Sequence, residues 1–462
     1  MASEHASPDL PATILALSAA DRAGLKKEIK TRFLSPGVGD FARIREECRS
    51  ARAVFSNADN CRLLIVIDPA TDIEKTLTDC LSYLDSRPEV KREVKREVNR
   101  EVNWREKNIC FGESPQGKKE RKKIGLVFPG QGSQYVRMGA ALLDRYPELR
   151  EIVRQAGNCA TNEAHFENVL YPALTEDREE QKQQLEKLQQ TEMAQPAIGA
   201  ASTVLLDLLA RFSVFPDAVC GHSYGELTAL HAAGRLERSD FFSLSAARGK
   251  FMAEAGKAGD AGRMMAIKAP IADIPELIRA HGLDLILANR NTPDQGVLSG
   301  PSQDIEKMQA ICKEKHIRGL VLPVSAAFHS RLVESAARPF RECLEGVSLA
   351  SSPVPVYSNT TGRPYPSDEA SARKLLGRHL LNPVHFIDDI EAMFADGVDT
   401  FVEVGPKPVL TGLIRAILKG RDFTAVATDS SSGKQPALSD LALALCQIAA
   451  AGHPVDLTQW PD

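Results

Sequence analysis

The chain contains no Cys-x-x-Cys pair. Its nine cysteines (Cys48, Cys61, Cys80, Cys110, Cys159, Cys220, Cys312, Cys343 and Cys446) are odd in number and scattered. That pattern argues against a disulfide framework and against a metal site of the zinc type, and it fits the reduced thiols of a cytoplasmic protein. There is no run of about 18 apolar residues, so no transmembrane helix is expected. Met1-Ala2-Ser3-Glu4-His5 has neither a basic n-region nor an apolar h-region, so no signal peptide is expected. Charge of one sign is also missing, since the formal net charge is −4 over 462 residues. Neither a nucleic acid nor a membrane is therefore expected as a partner. What the chain does have is 43% hydrophobic residues. That is enough for a sizeable core and for two or three domains.

Residues 1–11 are polar and read as a loose terminus. A strand is expected over 13–17, with Ser18 capping the next helix and Asp21 as its capping-box partner. A helix over 40–52, a strand over 63–67 and a helix over 72–84 complete a small α/β module within 12–117. Inside it, 88–107 is a charged insertion in which Lys/Asn-Arg-Glu-Val repeats from Lys91 to Val102. A period of four puts the valines on one drifting helix face. An exposed or frayed helix is the plain reading and a partner-docking helix the sharper one. The basic run 118–123 reads as a solvated linker. A buried strand follows over 124–128, then alternating helices and strands to about Leu418. Within that stretch 264–323 has the order β-α-β-β-α-β, which suits a ferredoxin-like small subdomain. The rest, 124–263 and 324–420, forms a large subdomain, and 421–462 is a tail with an Ala/Leu-rich helix over 437–451.

The sharpest local signal is Gly221-His222-Ser223-Tyr224-Gly225. It follows the apolar stretch 214–220 and precedes a helix-like run over 227–233. Strand, Gly-x-Ser-x-Gly turn and helix make a nucleophile elbow. The turn lifts the Ser223 hydroxyl above the sheet edge, at the positive end of the next helix. Such a serine needs a base. Of the ten histidines, His5, His281, His316 and His453 sit in polar or terminal settings. His165, His231 and His379 read equally well as half-buried structural residues, and His222 precedes the serine and points elsewhere. Spacing alone leaves the base open, with His329 favoured because it sits where an apolar strand breaks and the chain leaves the insert. Gly130-Gln131-Gly132 follows a strand and opens a helix. Its backbone N–H groups suit an oxyanion hole together with that of Tyr224. By itself the turn equally suggests phosphate binding, which the serine elbow disfavours. Arg248 alone reads as evenly a surface ion-pair residue as a ligand-binding one.

Several motifs then occur in order: Phe128-Pro129-Gly130-Gln131-Gly132-Ser133-Gln134, Gln195-Pro196-Ala197, the elbow with Glu226, Arg248-Gly249-Lys250, Ala327-Phe328-His329-Ser330, Asn382-Pro383-Val384, and Glu403-Val404-Gly405-Pro406. Over roughly 124–418 the chain resembles the malonyl-CoA:acyl carrier protein transacylase family, in the form found as acyltransferase domains of modular and iterative polyketide synthases. Residues 12–117 resemble the linker that joins a ketosynthase to its acyltransferase, and 421–462 the linker that follows it. The resemblance implies an α/β fold. Its large subdomain is α/β-hydrolase-like with a parallel sheet core, and a ferredoxin-like subdomain and a small α/β linker domain complete it. It also implies a piece of a longer synthase, with an acyl carrier protein and a ketosynthase domain as partners.

The same resemblance implies roles. Ser223 would carry the acyl ester and His329 would act as base. A backbone carbonyl near Asn-Pro-Val, at Asn382 or His385, would orient His329 in place of an aspartate. Arg248 would grip the free carboxylate of malonyl, a bidentate match for guanidinium geometry. Gln131 and Tyr224 would donate backbone N–H groups to the oxyanion. His222 and Ala327 would line the pocket, and the Phe328 ring would fill the space an α-methyl needs, favouring malonyl over methylmalonyl. Ala326 departs from the histidine or tyrosine that often begins this motif, and Tyr224 departs from a small aliphatic residue or glutamine; its ring is expected to narrow the pocket. No bound cofactor or metal is implied, because coenzyme A is a co-substrate. An acyl hydrolase on the same fold and a non-catalytic docking module are the rival readings.

Overall fold

The computed structural model describes residues 12–34, 41–86, 108–114, 122–257, 260–324 and 326–461. The loose terminus 1–11, the charged insertion 88–107 and most of the basic run 118–123 lie outside the described residues.

The first layer is a three-stranded antiparallel sheet of β1 (Thr13–Ala19), β2 (Cys61–Ile67) and β3 (Ile109–Glu113), in that order. Successive side chains on a strand face opposite ways. Leu15, Leu17, Leu63, Ile65 and Ile67 pack under the helices Arg22–Arg32, Phe41–Val54 and Ile73–Ser86. Ile14, Ala16, Leu64 and Val66 face the other way and join the main core. Both faces are covered, which is why Cys61–Ile67 is apolar throughout apart from Arg62. The cap of the first helix differs from the sequence expectation. Asp21 is the N-cap, accepting from the Gly24 N–H at 2.8 Å, while Ser18 lies within β1 and donates to Asp59 at 2.7 Å. The third strand was not foreseen either.

The central sheet has six strands in the order β11-β10-β5-β4-β12-β13. They are β4 (Lys123–Phe128), β5 (Ala218–Gly221), β10 (Val356–Ser358), β11 (Arg363–Pro364), β12 (Val398–Glu403) and β13 (Thr424–Ala427). All pair in parallel except the edge strand β11. Since β4 comes first in the chain and stands between β5 and β12, strand order reverses there, and a crevice opens beyond the carboxyl ends. The helix Thr191–Arg211 is long and apolar enough to cross a membrane by length and composition, but 83% of its apolar window is buried inside the protein. Packing against its neighbours accounts for its apolar character.

The inserted sheet is antiparallel in the order β7-β8-β6-β9, from β6 (Arg263–Lys268), β7 (Ile286–Thr292), β8 (Gln295–Gly300) and β9 (Arg318–Val321). The helices Ile274–Ala280 and Ser302–Glu314 close over it with a core of its own around Met265, Ile278, Leu298 and Met308. This is the ferredoxin-like order.

The tail ties the first layer to the rest. The helix Ala437–Ala450 packs on β2 and β3, and Trp460 donates its indole N–H to the Ala12 carbonyl at 3.1 Å. A Cβ at Gly112 would lie 1.7 Å from the Ala450 carbonyl oxygen, so only glycine lets strand and helix end approach this closely. Gly112→Ala should therefore force the two apart and destabilise the fold by about 1–3 kcal/mol. The midpoint of chemical denaturation checks this, and an unchanged midpoint contradicts it.

Candidate active site

The elbow forms because β5 ends against β4. The His222 N–H donates to the Phe128 carbonyl at 2.9 Å, which carries the chain of β5 past the end of its neighbour. A Cβ on Gly221 would lie 1.9 Å from the Gly225 backbone, and one on Gly225 would lie 2.0 Å from the Phe128 carbonyl oxygen. Both glycines are thus required by close approach rather than by flexibility. Ser223 takes φ 51°, the left-handed region that a residue with a side chain occupies at a cost of about 1–3 kcal/mol.

Asn359, at the end of β10, holds that strained turn. Its Oδ1 accepts from the Ser223 N–H at 2.7 Å, and its Nδ2 donates to the Gly221 carbonyl at 2.6 Å and to Asp389 at 2.7 Å. Its own N–H donates to Glu226 at 2.7 Å. Glu226 is fully buried, accepts from Tyr365 and Ser358 as well, and burial raises its carboxyl to about 7. Sequence reasoning missed Asn359. In Ser358-Asn359-Thr360 it reads as an ordinary turn residue, and only the sheet brings Gly221, Ser223 and Asp389 around it.

The structure brings Ser223, His329 and Arg248 together. The Ser223 hydroxyl donates to His329 Nε2 at 2.8 Å. His329 leaves the inserted sheet with φ 58°. Its segment is fixed by two bonds, from the Ser299 hydroxyl to the Phe328 carbonyl (2.7 Å) and from the Ala327 N–H to the Ala261 carbonyl (2.8 Å). On its far side, His329 Nδ1 lies 3.0 Å from the Asn382 carbonyl and 3.2 Å from the His379 carbonyl. Carbonyls only accept, so Nδ1 carries the proton and Nε2 is a bare base aimed at the hydroxyl. Burial first, then the Arg248 charge, lowers the imidazole to about 3, so it is neutral in the resting protein.

Arg248 projects from the helix Arg238–Ala255 and is 1% exposed. Its Nη2 reaches the Ser223 hydroxyl at 3.4 Å, and its Nε has no hydrogen-bond partner among the described residues. No carboxylate among the described residues pairs with it; the ring of Tyr224 lies 5.9 Å away instead. Burial lowers it to about 10, still cationic near neutral pH. A buried guanidinium with no ion-paired carboxylate can take up an anion.

Gln131 opens the turn that packs against the elbow. Gly130 packs on the elbow so tightly that a Cβ there would lie 2.4 Å from the His222 carbonyl oxygen. The turn is closed by its own side chains: Gln134 accepts from the Gly132 N–H at 2.7 Å, and the Ser133 hydroxyl donates to the Gly130 carbonyl at 2.9 Å. The N–H groups of Gln131 and Tyr224 are left without a protein acceptor among the described residues.

Three of the sequence-based assignments come out differently. His385 does not orient His329. Its carbonyl accepts from the Asp389 N–H at 3.1 Å at the start of the helix Phe386–Ala395, so the second carbonyl on Nδ1 is that of His379. The Asn382 carbonyl is held in place because Val384 pairs with β7, donating to Ala288 at 2.8 Å and accepting from Arg290 at 2.9 Å. The Tyr224 ring does not narrow the pocket. It is fully buried and turned into the helix layer, with its hydroxyl 2.8 Å from Ser245. Ala327 is fully buried against Gly262 and lines nothing open. His222 turns its Nε2 to the Asn291 side chain on β7 at 2.8 Å, which ties the elbow to the inserted sheet. Phe328 is buried beside His329. Asn359→Ala would leave the Ser223 N–H and the Gly221 carbonyl unpaired, at about 1–3 kcal/mol each. The expected result is a lower denaturation midpoint together with a fall in the rate of Ser223 acylation; an unaltered acylation rate contradicts the role.

The sequence matches the family described as the acyl transferase domain over residues 126–437. It is 34% identical over 310 residues to a malonyl CoA-acyl carrier protein transacylase of Bacillus subtilis (strain 168), covering 66% of this chain and 93% of that protein. It is 31% identical over 341 residues to one component of the polyunsaturated fatty acid synthase of Thraustochytrium, covering 71% of this chain but 12% of that much longer protein. The acyl transferase domain of ZmaA has the same fold, with a TM-score of 0.78 over 98% of this chain and 97% of that one at 21% identity. On the match over most of its length and on the Bacillus relative, the chain belongs to the acyl transferase domain family and is an acyltransferase.

Proposed function

We propose that the protein moves a malonyl group from coenzyme A to the phosphopantetheine thiol of an acyl carrier protein, through an ester on Ser223. The observation that carries this reading is the buried cluster of a hydroxyl, a neutral imidazole and an unpaired guanidinium. The name of the Bacillus relative supports both the malonyl donor and the carrier-protein acceptor.

His329 Nε2 takes the Ser223 proton as Oγ attacks the thioester carbon. The carbonyl oxygen becomes an oxyanion between the Gln131 and Tyr224 N–H groups. As it collapses, the carbon–sulfur bond breaks, and the imidazolium returns its proton to the coenzyme A sulfur. The carrier thiol then attacks the ester, His329 again taking the proton and returning it to Ser223. Throughout, Arg248 holds the malonyl carboxylate through paired N–H bonds. An acetyl group would leave that cation bare, which makes discrimination strong. The Phe328 ring excludes an α-methyl branch, so malonyl is preferred to methylmalonyl. Side chains and backbone N–H groups account for each step, and coenzyme A acts as a substrate rather than a resident cofactor. The small share of the Thraustochytrium synthase protein that the chain covers supports a place within a longer synthase, and a ketosynthase domain beside it is what the likeness of 12–117 to the preceding linker suggests. The hydrolase reading draws no support from the relatives named above.

Intact-mass spectrometry after exposure to malonyl-CoA tests the proposal. The protein should gain one persistent malonyl, discharged on adding carrier protein, and Ser223→Ala should gain none. Rapid release of free malonate without carrier protein would favour hydrolysis, and labelling of the alanine variant would remove Ser223 from the mechanism. A second expectation concerns pH. Because His329 is lowered to about 3, the free protein keeps its base down to well below the usual histidine value of about 6.5. The pH profile of kcat/KM, which reports the free enzyme, should show no histidine-like acid limb near that value; such a limb contradicts the electrostatics described here.

A further inference from the structure

Arg248 is a buried cation with no ion-paired carboxylate among the described residues, the Glu226 carboxyl acting on it only from a distance, and the Ser223 hydroxyl stands between it and the base. Steps of 3.4 and 2.8 Å separate guanidinium, hydroxyl and imidazole, so an imidazolium formed at His329 lies no more than about 6 Å from Arg248 in buried space. At an effective dielectric of about 20, a like charge at that range weakens a base on the order of a hundredfold. The other groups around His329 do not offset it. His222, from the elbow, and His379, edge-on to His329 at 5.4 Å, are both lowered by burial and neutral. The Asn382 and His379 carbonyls take the Nδ1 proton. The buried carboxyl of Glu226 favours the Arg248 cation from a distance but forms no ion pair with it: it lies 3.7 Å from His379 and is engaged with Tyr365, Ser358 and Asn359.

We propose that the acyl carboxylate is the counter-ion that completes this cluster, and that its arrival at Arg248 is what allows His329 to take the Ser223 proton. The inference rests on the acyl-transfer reading above and adds to it. A carboxylated acyl group is then selected in the chemical step as well as in binding, because it switches on the base that attacks it. The same device keeps Ser223 quiet in the empty site, where the unpaired guanidinium opposes the imidazolium. Consistent with this, the Arg248 charge ranks directly after burial among the causes that depress His329.

The test separates the carboxylate from the acyl group. Ser223 is loaded from acetyl-CoA in a single turnover, read by intact mass, with formate added against chloride at equal ionic strength. Formate should speed acetyl loading of the unmodified protein by about tenfold or more and should have no effect on Arg248→Gln, which lacks the opposing cation. An unchanged or slower rate with formate, or equal acceleration in the variant, overturns the proposal. A second measurement needs no variant. The acid limb of kcat, which reports the loaded complex, should lie higher for malonyl-CoA than for acetyl-CoA by about one pH unit or more; coincident limbs overturn it. Malonyl loading of Ser223 is measured separately, so a failure of formate leaves the acyl-transfer reading standing.

Discussion

The hydrogen bond from Ser223 to His329 is the constraint the rest of the structure serves. Its two ends lie 106 residues apart in the chain and come from different sheets. The hydroxyl must be held in a left-handed turn above the central sheet. The imidazole must come down from the inserted sheet with its Nδ1 proton tied to backbone carbonyls. Nothing local in either segment makes them meet. The meeting is set by β7, which pairs with Val384 and also presents Asn291 to His222. One strand of the small sheet therefore registers both the carbonyl behind the base and the elbow in front of it.

Electrostatics around that bond run against its own chemistry in the empty site. Burial removes water from His329, and the Arg248 charge disfavours a second cation beside it. A triad aspartate would relieve this, but carbonyl oxygens stand in its place. They fix the tautomer and supply only dipoles. An incoming carboxylate supplies the missing negative charge. In the proposal made above, substrate charge does part of the work that a buried acid does in other serine enzymes, and the guanidinium is both the specificity element and the restraint on the base.

Much of this was legible in sequence, for physical reasons. The elbow is contiguous, and its glycines are forced by backbone contacts of about 2 Å, so the pattern Gly-x-Ser-x-Gly survives as a local signal. The inserted sheet announced itself by alternating short elements. His329 was weaker: spacing favoured it, but only the ordered set of motifs made it and Arg248 specific. Other features are made by space rather than by sequence. Asn359 acquires its task from three neighbours on other segments. His385 sits beside the right motif, yet its carbonyl points into a helix start while that of His379 points at the base. The Tyr224 ring follows the elbow helix inward to Ser245, which no one-dimensional pattern reveals. The strand Ile109–Glu113 is short and follows a charged insertion, so its apolar residues had no period to show.

The most direct measurement is a crystal structure of the protein after exposure to malonyl-CoA. The account predicts an ester on Ser223 Oγ, its carbonyl oxygen within hydrogen-bond distance of the Gln131 and Tyr224 nitrogens, and its free carboxylate paired with both Nη atoms of Arg248. An ester on another residue, or a malonyl carboxylate turned to solvent with Arg248 still unpaired, would contradict it.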